Sequence, residues 1–172
     1  MAEQETDGAE IEVSAAELDP ETLGPRERAA FDVIAEICQV TGLEIHPRAT
    51  GIQGPYLHIE IVGEDAISTY GRNGKSLDAL QYLANLIIGR KAGGDVRVLL
   101  DAANYRARRE KALEDLAREY AALVKERQEE CELDPLPAHE RRIIHNILAD
   151  DDTIRTYSEG DDPDRRVIIA PR

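Results

Sequence analysis

The chain has 172 residues, enough for one domain or two small ones, and 42% of them are hydrophobic, enough for a core. No apolar run approaches the roughly 20 residues a membrane helix needs, and the opening stretch MAEQETDGAE lacks the basic and apolar regions of a signal peptide. The net charge of −14 argues against a nucleic-acid partner only until its distribution is read, because residues 1–24 hold eight acids and no base.

That leading segment, acidic and poor in apolar residues, predicts a disordered tail over 1–24. The remainder is mildly acidic, so its local patches matter more than its sum. An amphipathic helix follows over Glu27–Val40, with Phe31, Ile34, Ala35 and Cys38 at helical spacing, Pro25 near its start and Gly42 stopping it. Ile45–Thr50 and Tyr56–Val62 predict a strand pair turned through Gly51 and Gly54. Leu57, Ile59 and Ile61 alternate with His58 and Glu60, the pattern of a sheet with one buried face. Pro47 puts the first strand at an edge.

A short helical turn over Asp65–Tyr70 leads to Gly71-Arg72-Asn73-Gly74, followed by Lys75. Glycine at both ends allows a sharp turn and close backbone approach. A loop that opens a helix presents unpaired N–H groups to an anion such as a phosphate. Alone, Gly-x-x-Gly fits a plain turn as well as a phosphate clamp. A helix over Ser76–Arg90, with Leu77, Leu80, Ala84 and Ile87 on one side, and a strand over Val96–Asp101 complete the first half. The order helix, strand, strand, short helix, loop, helix, strand is that of a type II KH domain, with the loop where that fold places its nucleic-acid clamp.

The second half begins with a long helix over Asn104–Glu130, Leu113, Leu116, Tyr120 and Leu123 inward. Asp134-Pro135-Leu136-Pro137 breaks the chain before a helix over Ala138–Ala149, and Ile154–Ser158 and Arg165–Ile169 predict a hairpin. At about 100° per residue, the shorter helix gathers Arg141, His145, Arg142 and Asn146 on one face and Ile143, Ile144, Ile147 and Leu148 on the other. Arginine forks suit phosphate and stack on bases, and an imidazole one turn away donates or stacks without full charge. Arg165 and Arg166 extend this patch if the hairpin lies nearby. A solvated helix face with ion pairs to Glu140 is the plainer reading.

Arg141-x-x-x-His145 matches the signature of the R-three-H domain, a single-stranded nucleic-acid-binding module. ERRIIHNIL with TYSEGDDPDRRVII, and GRNGKSLDALQYLANLI with VLLDAANYRARRE, resemble the bacterial Jag, or SpoIIIJ-associated, family. The resemblance covers roughly residues 25–172. It implies an α+β chain: a type II KH domain over 25–101, a three-stranded sheet with helices on one face, then a small α/β R-three-H domain over 102–172, two helices plus C-terminal strands. Tyr70 departs from the Ile-Gly pair that KH loops usually follow, and the separate N-terminal domain of many members is not expected here.

The implied function is binding of single-stranded RNA through Gly71, Arg72, Asn73, Gly74 and Lys75, and through Arg141, Arg142, His145, Arg165 and Arg166. The resemblance further implies a post-transcriptional regulator or RNA chaperone, linked to cell elongation or division, with a small KH-only partner or a homodimer. A protein-interaction adaptor acting through the KH sheet is the alternative. The scarcity of aromatics, one Phe, six Tyr and no Trp, fits a backbone clamp better than a base-stacking sheet. Cys38 and Cys131 lie far apart, without metal-ligand spacing, and read as reduced thiols of a cytoplasmic protein. No metal, cofactor, catalytic site or membrane insertion is expected.

Overall fold

The structure, a computed structural model, describes residues 17–172. The chain divides into two compact units, the first ending at Tyr105 and the second beginning at Arg106.

Residues 17–24, expected within the tail, are built into the first unit, whereas residues 1–16 lie outside the described residues. The Leu18 N–H donates to the Ala49 carbonyl at 2.9 Å, Asp19 caps a tight turn over Pro20–Thr22, and Leu18 and Leu23 pack on the core. Two leucines among the acids suffice to anchor the segment, because apolar burial outweighs exposed like charges.

Helix α1 spans Pro25–Val40 and buries Ala30, Phe31, Val33, Ile34 and Cys38. Strand β1, His46–Gln53, pairs antiparallel with β2, Tyr56–Val62. Leu57, Ile59 and Ile61 point into the core, as their alternation predicts. Strand β3, Arg97–Ala102, lies parallel to β2, so the sheet order is β1-β2-β3 and Pro47 sits on an edge strand. A parallel pair needs a crossover. It is supplied by α2, Ala66–Tyr70, and α3, Lys75–Lys91. This is the type II KH order. On α3 the buried stripe is Leu77, Ala84 and Ile88; Ile87, expected inward, is exposed. The side-chain amides of Asn85 and Gln81 bond the unpaired edge of β3, Asn85 to both backbone groups of Val98 and Gln81 to the Leu100 N–H.

In the second unit α4, Tyr105–Arg127, buries Leu113, Ala117, Ala121 and Val124. Helix α5 covers Ala138–Ile147, two residues short of the expected end, and β5, Ile154–Glu159, pairs antiparallel with β6, Arg166–Pro171. A two-residue strand β4, Cys131–Glu132, pairs with β6 and was not expected, because two residues show no alternation. The sheet order is β4-β6-β5. Ile144, Leu148, Ile154, Val167 and Ile169 join the α4 stripe in one core. The chain is thus α+β throughout.

Candidate nucleic-acid interface

In the first unit, Gly71 at φ 65° and ψ −164° lets the chain leave α2 in a conformation that side chains disfavour. Asn73 (φ 53°) and Gly74 (φ 72°) are both left-handed, and α3 starts at Lys75 without a side-chain cap. Arg72, Asn73 and Lys75 are exposed around this turn. The uncapped first turn of a seventeen-residue helix, bracketed by two cations, offers backbone donors to an anion.

Two close approaches require glycine in the turn. A Cβ on Gly71 would run into the Ser76 hydroxyl. One on Gly74 would stand 2.6 Å from Tyr105 Cε1. Tyr105 in turn stacks on Tyr70, ring centroids 4.5 Å apart and planes at 21°. Tyr70, the departure from the usual Ile-Gly pair, therefore forms half of an aromatic plate behind the loop.

The second cluster lies on α5 and the hairpin. His145 Nδ1 is 2.7 Å from Thr156 Oγ1, and its Nε2 is 3.0 Å from Ser158 Oγ. Burial, reinforced by the neighbouring Arg141 charge, pushes the imidazole below its ordinary value. Its two hydroxyl partners suit the neutral ring, which donates through one nitrogen and accepts through the other.

Arg141 does not lie on a solvated face. It is buried, as is its neighbour Glu140, and the helix turns the stripe Glu140, Arg141, Ile144 and Leu148 inward. Arg109 on α4 holds Glu140 in a bidentate pair at 2.7 and 2.9 Å. Arg141 Nη2 instead meets Asp162 Oδ1 at 3.2 Å, and its Nη1 is buried with no partner. Arg165 Nη2 approaches the Ser158 carbonyl at 3.5 Å, and its Nε is likewise buried and unbonded.

The fold therefore brings His145 and Arg165 together at Ser158, with Arg141 one helical turn from His145. Arg142 is exposed beside them on α5. Arg166 is turned to the opposite face of the sheet, where it pairs with Glu132 at 2.7 Å in a groove also lined by Glu130 and Glu159. Thr156 and Ser158 were missed by reading the sequence. Their period-two spacing from Ile154, which is buried, marks them as facing the helix.

The match that decides the second unit is to the R-three-H domain family and covers residues 111–171. The chain carries an R-three-H domain. The domain contains the whole Arg141–His145–Arg165 cluster and the hairpin beneath it. Over a longer stretch the chain is similar to proteins named "RNA-binding protein KhpB". The one from Clostridium symbiosum is 40% identical over 114 residues, 66% of this chain and 51% of the relative. That of Bacillus subtilis is 37% identical over 112 residues, 64% of this chain and 54% of the relative. The Lactiplantibacillus plantarum protein is 39% identical over 102 residues, 59% of this chain and 32% of the relative. These matches bear out the resemblance to the Jag family. The chain spans about half the length, or less, of the curated relatives it matches.

No helix among the described residues is long and apolar enough to cross a membrane. Among the same residues no group of three or more His, Cys, Asp or Glu is placed to hold a metal ion.

Proposed function

We propose that this protein binds single-stranded RNA through two sites. Gly71–Gly74, with Arg72 and Lys75, holds one stretch of backbone at the start of α3. Arg141, His145, Arg142 and Arg165 engage a second stretch at the R-three-H domain; Arg166 has the weaker case, because it is engaged by Glu132. The observation that carries the reading is two incompletely bonded guanidiniums, Arg141 one turn from His145 on α5 and Arg165 sharing Ser158 with His145, inside the R-three-H match. Buried donors without partners mark a place where an anion completes the hydrogen bonding. The name shared by the relatives supports RNA as the source of that anion. Two weak sites on one chain raise avidity when a single strand spans both.

In this reading residues 25–101 act as a KH domain and 102–172 as the R-three-H domain of a cytoplasmic, non-enzymatic regulator or RNA chaperone, with a role in cell elongation or division. A protein-interaction adaptor is the second reading. Tyr82, Leu83, Leu86 and Ile87 form an exposed apolar face on α3 and suit a KH-only partner or a second copy.

Crosslinking with sequencing of bound RNA tests the sites. Arg72→Asp/Asn73→Asp and Arg141→Ala/His145→Ala are each expected to weaken crosslinking, and the combination to abolish it. A cooperative thermal melt in each variant separates lost binding from lost folding. Crosslinking at the wild-type level in every folded variant would overturn the assignment and favour the adaptor.

A further inference from the structure

Asp162 sits in the turn between β5 and β6, and its carboxylate covers the sunken Arg141 from the solvent side. The Arg141 side chain is 8% exposed and that of Asp162 is 63% exposed. The contact uses one carboxylate oxygen on Nη2, leaving the buried Nη1 without a partner. A phosphate reaching both nitrogens would bond both, which makes it the better anion for this fork.

We infer that Asp162 is a built-in competitor for the nucleic-acid phosphate. Its carboxylate occupies the seat on Arg141, and RNA binds there by displacing the turn over residues 161–164. The inference rests on the RNA-binding reading of the Arg141–His145 cluster. Displacement is local. Residues 160–164 are exposed, and the turn's internal backbone hydrogen bond is from the Asp164 N–H to the Asp161 carbonyl, so β5 and β6 stay paired when it moves. A pair that leaves one buried donor unbonded holds its carboxylate weakly, so exchange for a fuller ligand is favoured. The same turn carries Asp161 and Asp164, and Glu159 precedes it. A polyanion that cannot engage Arg141 still meets the carboxylates of this turn, which makes the turn a filter against loosely held strands.

The test measures binding of an end-labelled single-stranded oligouridine to the full chain and its variants. Asp162→Asn is expected to tighten binding about two- to fivefold, the range of a partly exposed ion pair removed from competition. Asp161→Asn removes the same charge from the same turn without touching Arg141, and is expected to have a smaller effect. Arg141→Lys, with folding checked by thermal melting, is expected to weaken binding and to erase the gain from Asp162→Asn. If folded Arg141→Lys binds like wild type, or if the unaltered chain binds no oligouridine, the RNA-binding reading of this cluster fails and the inference falls with it. If Arg141→Lys weakens binding while Asp162→Asn changes nothing, or gains no more than Asp161→Asn, the competitor role alone is overturned.

Discussion

His145 shows how a single residue is set by its surroundings. Its ring is held between two hydroxyls, partly buried and next to a guanidinium, so the neutral form is favoured in the folded protein. The folded value lies below the ordinary 6.5, and protons therefore bind the unfolded chain more readily. The stability contributed by the neutral ring is complete above that ordinary value and is lost as the pH falls from it through the lowered folded value. Thermal melts at about pH 7.5 and about pH 5 should show wild type losing more melting temperature than His145→Gln, whose amide does not titrate. An equal loss in both proteins would remove His145 as the cause. Arg141 teaches a different lesson. The helical periodicity of α5 put it with the polar face, because a wheel sorts residues by their own chemistry. Its ion-pair partner, Asp162, is distant in sequence and near only in the fold.

At the scale of elements, a largely buried ion pair ties α5 to α4 in the second unit. Glu140 is almost fully buried, with a side chain 2% exposed, and Arg109 bonds both of its carboxylate oxygens. Arg109→Met leaves that carboxylate without its cation and should cost about 3–5 kcal/mol in urea unfolding. Arg109→Met/Glu140→Leu should recover much of the loss, since an apolar pair of similar volume avoids the desolvation cost. A double variant as unstable as the single one would mean that packing, not charge, dominates. Helix α3 shows what periodicity reveals and what it misses. Its existence and core side follow from Leu77, Leu80 and Ala84, but the choice of Ile88 over Ile87 is a matter of phase that two adjacent isoleucines leave open. The closure of the β3 edge by Asn85 and Gln81 has no sequence signature, because it joins a helix face to a strand edge.

At the scale of the whole chain, charge placement bears on the proposed binding. Residues 1–16 hold five of the acids and no base, which gives them −5 of the net −14. We predict that removing residues 1–16 tightens RNA binding at low salt, because it takes away five negative charges. Unchanged affinity would rule out competition by the acidic segment. With about three to five phosphates engaged, the logarithmic salt slope should fall near −2 to −3.5, and a flat dependence would contradict a phosphate-led interface. The order of the main elements, the Gly71–Gly74 turn and the Arg141-x-x-x-His145 signature are legible in the chain alone, because periodicity, glycine and short spacings are local properties. Long-range packing is what anchors Leu18 and Leu23 at the end of the acidic segment, buries Arg141 next to Asp162, and parts Arg165 and Arg166 to opposite faces. Those outcomes depend on which distant residues meet, and burial and ion pairing are properties of the meeting rather than of either residue.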